Sequence, residues 1–123
     1  MPWIMVALGG AVGAVSRYGV DRAVMGIVGG PTVLGTFAVN ITGSFLLGLF
    51  IAFTAERTGW MPESRLFIAV GVLGSYTTFS TLTVASLQLF QGGEVTRGLL
   101  NIFGSIAVGL LAAFLGLVVG RAL

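Results

Sequence analysis

Four stretches of this chain, 3–25, 33–55, 65–90 and 95–119, are each long and apolar enough to cross a bilayer, with one or two polar interruptions apiece. A hydrocarbon core takes about 20 apolar residues per helix. The connections between them are short and have turn composition. "GIVGGP" (26–31) is Gly-rich and ends in Pro, "ERTGWMPES" (56–64) holds acids, Arg, Gly and Pro, and "QGGE" (91–94) is a tight turn. Nothing remains for a soluble domain. The expected fold is an all-α, multi-pass membrane protein, a single four-helix transmembrane domain over 1–123.

Composition agrees and narrows the function. Charged residues are 8% of the chain, against roughly 25% in soluble domains, and mean hydropathy is +1.06. The absence of Cys removes disulfides and thiolate metal sites. The absence of His removes Ser-His and Cys-His catalysis, so no enzyme is expected. A net charge of +2 from six Arg and four acids is too sparse for a nucleic-acid surface. "MPWIM" lacks the basic n-region of a cleavable signal peptide. Arg57, Arg65 and Arg121 fall on one side of the membrane, and Arg22 and Arg97, with Arg17 if it is counted, on the other. So small a bias lets the chain insert both ways.

Most of the 20 glycines read as packing residues; Gly9/Gly13 and Gly116/Gly120 have the four-residue spacing that lets helix backbones approach. "GGAVGA" (9–14) superficially resembles a dinucleotide loop, but no strand precedes it and the spacing is wrong. "NIT" (40–42) lies inside a span and is no glycosylation acceptor.

Polar and ionisable groups at membrane depth are costly and mark function. Arg17 has three readings: an i,i+4 pair with Asp21, a snorkelling side chain, or the wall of an aqueous, anion-attracting cavity. Asn40 is an amide well inside the second helix, either a helix–helix hydrogen bond or a donor to something passing. In "GSYTTFSTLT" (74–83) seven of ten side chains carry a hydroxyl. Gly74, Thr77, Thr78 and Thr81 weaken the helix there, so a break near 74–78 would free carbonyls as a cation site and hydroxyls as donors. Back-bonding hydroxyls in an intact helix are the alternative. Phe79 faces lipid or core, or presents its electropositive ring edge to an anion.

"GAVSRYG", "GTFAVNITG" and "GVLGSYTTFSTLT" each resemble a signature of the Fluc (CrcB) fluoride channels, and the resemblance covers the whole chain. The third motif is the specific one. The resemblance implies a fluoride-selective, passive channel in the cell (inner or plasma) membrane. It implies an antiparallel, dual-topology homodimer with two pores and one central structural Na⁺. It assigns the Na⁺-binding backbone carbonyls of the broken third helix to Gly74 and Thr77. The anion pathway falls on Asn40, Arg17 and Phe79, with Ser80 and Thr81 among the hydroxyls lining it.

The chain departs from the family pattern at three places: Leu82 stands for a second pore Phe, Ala85 for a Glu, and Asn101 for a fourth-helix Tyr of some members. Pairing with a non-identical chain is conceivable, though the balanced arginines argue for a homodimer. Two other functions compete. A small multidrug-resistance-type cation exporter needs a membrane-embedded carboxylate, and Asp21, Glu56, Glu63 and Glu94 are all expected at or near helix ends. A non-transporting membrane subunit would use Asn40 and the hydroxyls only to hold helices together.

Overall fold

A computed structural model describes residues 1–55, 57 and 59–123. The described residues form α1 (Pro2–Val28), α2 (Leu34–Ala55), α3 (Pro62–Arg65), a π-helical segment (Leu66–Leu73), α4 (Gly74–Tyr76), α5 (Phe79–Gln91) and α6 (Val95–Ala122), and contain no strand. From α3 to α5 the chain makes one span, Pro62–Gln91, so four helices are long and apolar enough to cross a membrane.

Several helix bounds fall where the chain supplies a signal. Gly29 takes φ 96°, in the left-handed region glycine tolerates, and its N–H bonds Met25 O at 2.8 Å. Pro62 starts α3 in the first turn, where its missing N–H costs nothing, and brings the third span in three residues earlier than hydropathy suggests. Gly93 at φ 81° turns the chain between α5 and α6. Beyond α2, Trp60 meets Phe50 and Phe53 edge-on, at 5.5 and 6.3 Å, and the Arg57 guanidinium lies 3.9 Å from the Phe53 ring centre. Aromatic and arginine side chains of this kind settle at the membrane–water boundary.

The chain is thin, and close backbone contact holds it together. Among the described residues, only Val39, Leu73, Leu82 and Ala112 are buried apolar side chains. α1 lies against the π-helical segment and α4, α2 lies against α6, and α5 lies against α6. The third span thus changes partner part-way, from α1 to α6. Lipid tails give apolar helices no reason to leave them, so packing relies on small residues that let backbones touch. Gly9 and Gly13 are buried on the π-helical segment; a Cβ at Gly71 would sit 2.8 Å from Gly9 Cα, and one at Gly13 would sit 2.9 Å from Val72 C. Gly116 and Gly120 do the same on α2, where added Cβ atoms would lie 2.9 Å from Leu49 N and 2.8 Å from Ala52 Cβ. Both predicted spacings are helix–helix contacts.

Two expectations need correction. Gly74 stays helical at φ −63°, ψ −34°, and only Thr77 (ψ 157°) and Thr78 (ψ 119°) leave the helix, so the break is narrower than 74–78. The helix penalty of a glycine is only about 1 kcal/mol, and the Gly74 N–H still bonds the preceding helical turns at Ala69 O and Gly71 O. Asp21 is not at a helix end: α1 runs on to Val28, which leaves Asp21 about two turns inside it. Glu63 and Glu94 do lie at helix starts, and Glu56 falls outside the described residues.

Replacing Gly71 by Ala sets a methyl against the α1 backbone, which cannot rotate away. The expected cost is about 1–3 kcal/mol, read as a lower thermal midpoint of the detergent-solubilised protein. Gly26→Ala, whose Cβ would meet nothing within 4 Å, should leave the midpoint unchanged or raise it.

Candidate functional site

An unbroken helix would send the Thr78 N–H to the carbonyl of Gly74. In this chain it goes sideways, donating to Asn40 Oδ1 at 2.8 Å, while Asn40 Nδ2 donates to Thr78 O at 3.1 Å. One amide side chain on α2 thereby satisfies both backbone groups of the residue at the break. Such groups, released from the ladder at membrane depth, would otherwise lack a protein partner.

Thr78 also begins the next helix. Its Oγ1 accepts from Thr81 N–H at 3.3 Å, an N-cap, and donates to Thr81 Oγ1 at 3.1 Å. Thr77 closes the preceding turn, with both its N–H (3.2 Å) and its Oγ1 (3.1 Å) donating to Leu73 O. Thr42 Oγ1 donates to Ala38 O at 2.7 Å and so accepts from the Tyr76 hydroxyl at 2.9 Å. The hydroxyl-rich stretch therefore does two things: Thr78 caps across the break, and Thr77 back-bonds at its edge.

Arg17 reaches the same place from α1, its Nε donating to Ser75 O at 3.1 Å. It makes no ion pair with Asp21; among the described residues the ion pair is Arg97–Glu94, at 2.9 Å. Both Arg17 and Asp21 instead line a cavity of about 200 Å³ with Tyr18, Thr36, Thr78 and Thr81. The cavity-wall reading of Arg17 is the one its position fits. Asp21 packs on Gly35, in the first turn of α2, where the helix dipole favours a negative charge.

Two of the singled-out carbonyls are bare. No hydrogen bond among the described residues reaches the oxygens of Gly74 or Thr77, because the N–H groups that would bond them are diverted or capped. Gly74 is exposed, and a Cβ added to it would meet only Ala69 O, at 3.6 Å.

The remaining candidates point out of the chain. Phe79 is 73% exposed, and Ser80 and Thr81 are exposed beside it at the start of α5. Arg17, Asn40, Thr77, Thr78 and Thr81 thus gather at the break, whereas Phe79 and Ser80 lie on the free face next to it. Leu82, at 5% exposure, is buried within the chain. Sequence reasoning missed Thr78 as the pivot, although Thr is among the residues favoured as an N-cap. It also missed the Thr42–Tyr76 pair and Asp21 on the cavity wall, which no local pattern marks.

The model of the family described as "CrcB-like protein, Camphor Resistance (CrcB)" matches residues 4–117. The chain is similar to a fluoride-specific ion channel FluC of Thermus thermophilus, at 50% identity over 98% of this chain and 94% of that protein. It is 45% identical to the protein of the same name from Magnetococcus marinus, over 94% of each chain. The one from Agrobacterium fabrum is 43% identical, over 95% of this chain and 94% of its own.

Asn40→Ala strips both partners from Thr78. Each unmet buried backbone group costs about 1–3 kcal/mol, so a large drop in thermal midpoint in detergent is expected. Asn40→Asp keeps the acceptor for the Thr78 N–H and should lose less.

Proposed function

We propose that this chain, which belongs to the CrcB-like family, conducts fluoride passively and selectively across the membrane it spans. What most supports the reading is a cluster of N–H and O–H donors at a helix break within the membrane, in a chain whose relatives bear the fluoride-channel name. Fluoride is small and strongly hydrated, so a narrow path must replace its water with donors. Asn40 spends one amide N–H on Thr78 and keeps a second for the anion. Arg17 spends its Nε–H on Ser75, and the rest of its guanidinium concentrates anions in the cavity. Ser80 and Thr81 add hydroxyls, and Phe79 adds an electropositive ring edge. The sequence carries no nucleotide loop, and nothing in the proposed path couples it to an energy source. A channel of this kind makes and breaks no covalent bond.

The path needs a second chain. Gly74, Phe79, Ser80 and Thr81 are exposed on one chain, and hydroxyls at membrane depth are poorly placed against lipid. An antiparallel second copy, allowed by the balanced arginines, covers them and gives two pores per homodimer. The bare carbonyls of Gly74 and Thr77 suit a structural Na⁺, since neutral oxygens are the donors a hard monovalent cation takes. Two per chain become four across a two-fold axis. Bound there, Na⁺ would supply the positive charge those oxygens lack and would not itself be transported. The cell (inner or plasma) membrane is the proposed location.

Liposomes containing only this protein test the reading. Fluoride should leave them while chloride stays; comparable fluxes of the two, or none, would refute it. A proton-coupled cation exporter would instead depend on Asp21, which shares a cavity with Thr78 at the break, so Asp21→Asn should leave fluoride flux standing. Asn40→Asp should abolish flux, because an acceptor replaces the donor on the path.

The Na⁺ and dimer reading makes a separate demand. A Cβ at Gly74 meets only Ala69 O in its own chain, at an ordinary contact distance of 3.6 Å, so the damage done by Gly74→Leu is expected between chains. It should convert dimer to monomer on size-exclusion chromatography, whereas Thr77→Ser should be mild. A Gly74→Leu protein that stays dimeric would remove Gly74 from the two-fold axis.

A further inference from the structure

α5 carries Phe79, Ser80 and Thr81 in its first turn, yet it is poorly anchored. Its only buried residues are Leu82 and Ser86, one turn apart on the same face. At its N-terminal end it is tied through Thr78 to Asn40. Beyond that cap, one side-chain hydrogen bond among the described residues joins α5 to another helix: Asn101 Nδ2 on α6 donates to Ser86 Oγ at 2.9 Å. Ser86 Oγ in turn donates to Leu82 O at 2.8 Å. Both side chains are largely shielded, with Ser86 1% and Asn101 8% exposed.

Two points fix a rod. The Thr78 cap sets where α5 begins, and the Asn101–Ser86 bond sets how far it is rotated about its own axis. Apolar contact cannot set that rotation sharply: Leu82 is the single buried aliphatic side chain on α5, and Gly98 of α6 meets the Phe90 ring and Ser86 O with no side chain of its own. From Ser86 back to Phe79 is about two turns, ~10 Å along the axis. A rotation of about 20° moves a side-chain tip ~5 Å off the axis by ~2 Å, more than a hydrogen bond tolerates.

Of the three places where the chain departs from its family pattern, Asn101 supplies the donor at this seam and Leu82 is the buried aliphatic side chain on the same face of α5. Ala85 and Asn101 also line a common cavity.

We infer that Asn101 and Ser86 are positioning residues, a buried pin between α6 and α5 that aims Phe79, Ser80 and Thr81 at the ion path and so sets its selectivity. The inference rests on the fluoride-channel reading and adds to it residues that touch no ion. Neither side chain needs to meet fluoride, because the pin acts through the rotation of α5.

Asn101→Leu, Ser86→Ala and the double variant, each purified and reconstituted in liposomes, test the pin against the unaltered protein. The ratio of fluoride to chloride flux is the readout, with the thermal midpoint measured beside it. Each single variant should lower the ratio by about tenfold or more, as small displacements of a reacting or binding group do. The double should be no worse than the worse single, because both singles already remove the Asn101–Ser86 bond. Ser86→Ala deletes a single oxygen and keeps the pin testable if Asn101→Leu does not fold. Variants with a lower midpoint and an unchanged flux ratio would overturn the inference, and so would additive losses. If the unaltered protein shows no fluoride-selective flux, the channel reading fails and takes the pin with it. If the unaltered protein is selective and the variants match it, the pin alone fails.

Discussion

The two hydrogen bonds between Asn40 and the Thr78 backbone are the interaction on which the rest of this chain turns. A helix inside a membrane cannot simply stop, since each N–H and C=O released from the ladder must be met by protein. By taking both groups of Thr78, Asn40 lets the third span leave helical geometry for two residues and resume. Everything of chemical interest follows from that interruption. Ser75 O turns to Arg17, Gly74 and Thr77 keep bare carbonyls, and Thr78 Oγ1 is free to start α5. An amide suits the task where a hydroxyl or carboxylate does not, because it donates and accepts at once with two atoms about one peptide's spacing apart.

The break also divides the packing. Before it, the span lies on α1 through backbone contact at Gly9, Gly13 and Gly71; after it, α5 lies on α6. The first half is held by close approach, which is stiff because backbone has nowhere to move. The second half is held by one small aliphatic contact, an aromatic ring over a glycine, and a buried polar bond. A chain that buries so few apolar side chains leaves large surfaces to lipid or to another chain. The polar, exposed start of α5 is the part least suited to lipid.

Much of the fold was legible because hydrocarbon imposes a simple rule on sequence. Four apolar runs became four spans with ends shifted by a few residues, and both glycine spacings became contacts. The stops were legible too, through Gly29 and Gly93 in left-handed geometry and Pro62 in a first turn. The π-helical winding over Leu66–Leu73 was not, since an apolar run has the same composition whether wound by 3.6 residues or more. Nor was the depth of Asp21, because the Gly-rich 26–31 stretch reads as a turn although α1 runs on into it to Val28.

For the candidate site, the sequence by itself singled out residues that need explanation: an amide, an arginine and a run of hydroxyls where apolar side chains are expected can be supported only by partners or by function. It could not assign the partners. That Asn40 meets Thr78, that Arg17 turns to Ser75 O and away from Asp21, and that Asn101 reaches Ser86 all depend on how helices distant in the chain lie side by side. Tertiary structure alone decided these, for a physical reason. A hydrogen bond is lost over a displacement of an ångström or so, whereas hydropathy fixes a helix only to within a turn.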